Sequence, residues 1–118
     1  MDPMTLALIA LILASAFVII TVAVLTGAWL KKKIKEKMNE KGTDVITISG
    51  DKLAELLSEV SEQSTEVPLG ELDMMLVNID DCDNVEDIEF IDAQEGMDNA
   101  AQGFIRQNGD MIRITNRA

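Results

Sequence analysis

Histidine and tyrosine are absent from this 118-residue chain, and cysteine occurs once. Without histidine there is no Ser-His-Asp or Cys-His nucleophilic arrangement, no Cys/His zinc site and no imidazole pH switch. The single cysteine, Cys82, excludes an internal disulfide and every CxxC motif, as suits a reducing compartment. Asp80, Asp81 and Asp83 surround it, and their charge disfavours the thiolate, the reverse of an activated nucleophile. Phosphate-cradling glycine loops are missing too, since neither GxGxxG nor GK[ST] occurs. With 18 acids in residues 43–118, no carboxylate pair stands out for general acid–base work. The chain reads as a non-enzyme with no cofactor.

Charge itself is missing from residues 4–30, which hold no Asp, Glu, Lys, Arg, Asn or Gln. As a helix these 27 residues extend roughly 40 Å, more than the ~30 Å hydrocarbon core requires. They read as a transmembrane helix. Ala14-Ser15-Ala16 resembles a signal-peptide cleavage site, but the preceding residues lack a basic charge and apolarity continues well beyond it, so the segment reads as a signal anchor. Asp2-Pro3 supplies an N-cap and a first-turn proline, and Gly42 a C-terminal stop.

Directly behind the run come Lys31, Lys32, Lys33, Lys35, Lys37 and Lys41, opposed only by Glu36 and Glu40, a net of +4. The positive-inside rule then puts residues 1–3 outside as a short tail, residues 4–30 across the bilayer, residues 31–42 at the inner face as a basic helix extension, and residues 43–118 in the cytoplasm. Trp29 and Lys31, Lys32, Lys33, Lys35 and Lys37 are the membrane-interface candidates, suited to anionic headgroups. Ala7, Ala14, Thr21 and Ala28 recur every seven residues and would let two such helices approach closely, a route to a homo-oligomer.

Residues 43–118 are opposite in character: those 18 acids face Lys52, Arg106, Arg113 and Arg117, a net of −14 within a chain total of −11. Nucleic acid would be repelled, while a basic protein surface would be attracted. Residues 45–49 read as a strand, and Leu53, Leu56, Leu57 and Val60 as the stripe of an amphipathic helix, capped by Ser49 or Asp51 and ending in 61–65. Residues 67–70 read as a turn. Residues 72–79 fit either a helix or a strand, and 88–91 a strand after an acidic loop over 80–87. Asn108-Gly109 between residues 104–107 and 110–115 has the form of a type I′ hairpin, with Ile105 opposite Ile112.

The expected fold class is therefore α+β: one N-terminal transmembrane helix, then a small acidic cytoplasmic α+β domain with a C-terminal β-hairpin. The acidic loop fails the EF-hand pattern, because Val85 and Glu86 occupy the positions that need an oxygen ligand and a glycine. Asp80, Asp81, Asp83, Asn108 and Gly109 are instead candidate partner contacts. The expected function is a membrane-anchored interaction, scaffolding or regulatory protein. A holin-like or toxin-like membrane-permeabilising peptide is the rival, opposed by 76 patterned residues that such a peptide does not need.

Overall fold

Runs of β-branched and other apolar residues build a five-stranded sheet in the computed structural model, which describes residues 5, 18–59 and 72–116. In chain order the described elements are β1 (Val18–Val22), α1 (Gly27–Lys41), β2 (Asp44–Ser49), α2 (Gly50–Glu59), β3 (Met74–Ile79), β4 (Val85–Ala93), α3 (Asn99–Asn108) and β5 (Met111–Ile114). The sheet order is β1-β4-β3-β2-β5. Every neighbouring pair is antiparallel except β1, which runs parallel to β4 with Val18 beside Glu89 and Val22 beside Ala93.

Strand alternation divides the interior into two cores. On one face Leu53 and Leu56 of α2 pack over Ile46, Ile48, Met75, Val77, Ile88 and Phe90. On the other, Leu30 and Ile34 of α1 and Ala101 of α3 cover Val45, Met74, Leu76 and Ile91, with Leu25 beside them. The result is a compact α+β domain, with a mixed sheet lying between three described helices. All six residues of β3 are buried because this central strand is covered on both faces. The same burial explains why 72–79 fits two periodicities: apolar residues on both sides of a strand erase its alternation.

Several expectations match. The strand over 45–49 and the helix carrying Leu53 and Leu56 form as β2 and α2, and Ser49 Oγ accepts from Lys52 N at 3.3 Å. Residues 88–91 lie inside β4. Gly42, with φ of 65°, closes α1 by donating to the Met38 carbonyl.

Two expectations do not. The C-terminal hairpin is absent: residues 104–107 belong to α3, and β5 pairs with β2, placing Ile112 beside Thr47 rather than Ile105. Asn108-Gly109 ends the helix instead. Gly109 has a positive φ of 85°, so the sequence signal was a demand for positive φ, which a helix end and a type I′ turn share. A continuous helix over 4–30 is also absent from the described part of that run. Residues 18–22 are a strand, Leu25 bridges to Met97, and α1 starts after Thr26, whose hydroxyl accepts from Trp29 N at 3.1 Å. Among the described residues no helix is long and apolar enough to cross a membrane. Residues 1–4 and 6–17, and with them Asp2-Pro3, Ala7 and Ala14, lie outside the described residues, as do 60–71 and Arg117.

Candidate interaction surfaces

The lysine row of α1 divides by helical spacing. Lys33 and Lys37, one turn apart, point to β4: Lys33 Nζ lies 3.3 Å from Glu89 Oε2, and Lys37 Nζ lies 3.2 Å from Asp87 and 3.3 Å from Glu89. The Lys37 side chain is only 2% exposed, so its ammonium is part of the interior. The contact of Lys33 with Glu89 Oε2 is an ion pair without hydrogen-bond geometry. Beneath them Asn78, fully buried, donates to the Lys37 carbonyl at 3.1 Å and to Thr43 Oγ1 at 3.0 Å, fastening the last turn of α1 to β3. Lys31, Lys32 and Lys35 are exposed, and Trp29 is half-buried against the second core.

The acidic loop contracts to residues 80–84, since 85–87 already belong to β4. Asp80 Oδ1 accepts from Cys82 N and Asn84 N at 2.8 Å each, folding the loop on its own carboxylate. The Asn84 backbone N–H chiefly holds the Asp80 carboxyl below its usual range, against a small opposing effect of burial. Asp83 takes a φ of 61° and binds Arg113 Nη1 at 2.8 Å. Arg113 also gives Nε to Asp44 at 2.8 Å, so one guanidinium on β5 joins the loop to the start of β2. Burial works against ionised Asp44, but the Asn116 backbone N–H and Arg113 outweigh it, and its carboxyl is also held low. Bonding to Asp83 similarly secures the Arg113 charge. Of the three nominated loop acids only Asp81 is exposed.

Asn108 and Gly109 are exposed at the opposite end of the sheet. The registers put Asp44 beside Ile79 at the loop end and Ser49 beside Met74 at the other, near Asp110. The structure therefore separates the nominated contacts into two surfaces. An open depression of about 380 Å³ lies at the Ser49 end, lined by Ser49, Gly50, Asp51, Asp73, Ile105 and Asp110 among others. Two of its carboxylates are committed to the fold: Asp73 accepts from Ala93 N at 2.7 Å and Asp110 from Ser49 Oγ at 2.9 Å. Among the described residues no group of three or more acid or cysteine side chains is arranged to hold a metal ion.

Of the helix-association candidates, Thr21 stands on β1 opposite Asp92 and Ala28 is exposed in the first turn of α1. A strand and a helix separated by Thr26 give these two no common helical face. What sequence reasoning missed is Asp98. Its Oδ1 accepts from Ala101 N at 2.8 Å and from Gly27 N at 3.0 Å, capping α3 and α1 with one carboxylate. An Asp three residues before a helical Ala was the available signal.

The least-covered apolar surface is at β1. No residue of this strand is buried, and Val18, Ile19 and Val24 are 55, 39 and 41% exposed, the large hydrophobics that stand out on the described surface. A flat apolar edge strand is the kind of surface that soluble domains usually blunt with charge or proline. Comparison of the chain with protein-family models, with curated proteins and with solved structures finds no match.

Proposed function

We propose that this chain is a single-pass, membrane-anchored interaction module without enzymatic activity, with its N-terminus outside and its acidic domain in the cytoplasm. The observation that carries this reading is the meeting of two apolar features. The uncharged run that begins at Met4 contains a strand and the residues just after it, where Val18, Ile19 and Val24 stand exposed. Water is a poor solvent for both, and a bilayer accommodates both. Exposed Lys31, Lys32 and Lys35 follow within about two helical turns and suit anionic headgroups.

The ionised groups gathered around Lys37 and Arg113 hold elements together, and the 380 Å³ depression has two of its acids engaged in the fold. This favours binding over chemistry. The net of −14 over residues 43–118 suits a protein partner with a basic surface, and Asp81 is the loop acid available for such a contact. Self-association within the bilayer belongs to the same reading.

Membranes from cells expressing the full chain test it directly. The protein should stay in the pellet through alkaline carbonate extraction, and protease should digest the domain in inverted but not in right-side-out vesicles. Release into the carbonate supernatant would overturn the anchor, and digestion in right-side-out vesicles would overturn the orientation.

A further inference from the structure

The membrane anchor and the sheet lay claim to the same residues. Residues 4–17 number 14 and extend about 21 Å as a helix, well short of the ~30 Å hydrocarbon core. Residues 4–24 number 21 and reach about 31 Å, which suffices. The difference is residues 18–24, which are β1 and the two residues after it. Resting on the anchor reading above, we propose that residues 18–24 are a shared segment, held by the edge of β4 in one state and by the bilayer in the other.

Three observations favour exchange over a permanent place in the sheet. First, β4 and the two residues after it hold this segment by backbone far more than by side chains. Gln94 N donates to the Val22 carbonyl at 2.9 Å and Glu95 N to the Ala23 carbonyl at 2.7 Å, while no β1 side chain is buried. A transmembrane helix satisfies the same backbone groups internally and buries Val18, Ile19, Ile20, Val22 and Val24 as well. Secondly, one core contains no β1 residue, and the other takes from it only a partly buried Val22. Thirdly, the chain just beyond is anchored separately. Leu25 is fully buried, bonded by its N–H to Gly96 O at 2.9 Å and by its carbonyl to Asp98 N at 3.0 Å, and Thr26 caps α1. Residues 25 and 26 are thus the fixed hinge. Insertion draws the domain onto the membrane surface at Lys31, Lys32 and Lys35, and leaves the outer edge of β4 at residues 89–93 without its strand.

A disulfide lock tests this in the full chain. In a Cys82→Ser background, Thr21→Cys and Asp92→Cys place thiols at register partners on β1 and β4. The variant is reconstituted into phosphatidylcholine–phosphatidylglycerol vesicles, reduced or oxidised beforehand, and extracted with carbonate. Retention of the reduced chain with loss of the oxidised one supports exchange. Retention of both overturns exchange and leaves the anchor standing, whereas extraction of both overturns the anchor and exchange with it. Should the disulfide fail to close, impermeant maleimide decides in the retained chain. Ile19→Cys should lose labelling relative to Ala28→Cys, which lies beyond the hinge and is exposed. Equal labelling of the two overturns the proposal.

Discussion

Gly27→Ala separates the observed helix start from an uninterrupted apolar helix, because the two give opposite signs. Gly27 is buried in the first turn of α1 against α3. A Cβ there would lie 2.4 Å from Ala100 Cβ, 2.9 Å from the Ala100 carbonyl carbon and 3.1 Å from Ala101 N. Carbon atoms settle at about 3.5–4.0 Å, so the helices must part by about 1 Å. Parting them also pulls the Gly27 N–H from Asp98, which it reaches at 3.0 Å. Overpacking of this kind costs about 1–3 kcal/mol. Helix propensity returns less than about 1 kcal/mol at a first-turn position. The net loss should be about 1–2 kcal/mol. Trp29, the only tryptophan, packs against the affected core and reports unfolding of the full chain in urea by fluorescence. With slopes of about 1–3 kcal/mol per molar, the midpoint should fall by about 0.3–2 M. Adding Ala100→Gly should recover only part, since the Ala100 carbonyl carbon and Ala101 N remain close. A midpoint at or above the parent's would refute the reasoning, and is the outcome for a glycine inside a continuous helix.

Two further outcomes follow from the ion pairs. Lys37→Met takes the ammonium from between Asp87 and Glu89, leaving Glu89 its contact with Lys33, and should cost about 2–4 kcal/mol, whereas Lys35→Met, exposed on the same helix, should stay within about 0.5 kcal/mol. Equal urea midpoints for the two variants would refute the interior role of Lys37. Asp44 and Asp80 have carboxyls held below their usual range, so as acid is added the unfolded chain takes up their protons first. Their stabilisation is complete above the ordinary carboxyl value of about 4 and is lost as pH falls through the lower folded values. Asp44→Asn should therefore be weaker than the parent near pH 6, with the gap narrowing as pH falls below about 4, as judged by urea midpoints; a constant gap would count against it.

What was legible in the sequence follows from how many faces each element buries. In α2, Leu53 and Leu56 show a one-sided stripe, and β2 is a short β-branched run, so periodicity was enough for both. For β3, burial on two sides removed the alternation. The C-terminal region misled because Asn108-Gly109 reports only a positive φ, and whether a strand or a helix precedes it depends on Asp98 capping residues ten positions upstream. The uncharged run hid its strand and its helix start for a third reason. Hydropathy measures the absence of charge and is blind to Leu25 and Leu30 packing into a core while Val18 does not. Among the candidate contacts, charge was legible and pairing was not. That Lys33 and Lys37 meet Glu89 and Asp87 requires the fold to bring α1 beside partners fifty or more residues later in the chain. Loss of Asp83 from the exposed set likewise required β5 to bring Arg113 beside the loop, while the Asp80 carboxylate is engaged by the Cys82 and Asn84 N–H groups of the loop itself.

The parallel pairing of β1 with β4 also sets an order in time. Val18 leaves the ribosome long before its register partner Glu89. At ~5–20 residues per second the intervening stretch of roughly seventy residues takes about 4–14 s to synthesise. In the finished sheet β1 pairs with β4 alone, so for those seconds its native edge does not exist. Under the anchor proposal, an apolar segment waiting that long would have the bilayer open to it before its place in the sheet exists. Residence in the sheet is in any case open only to a chain whose segment is still in water when β4 has been made.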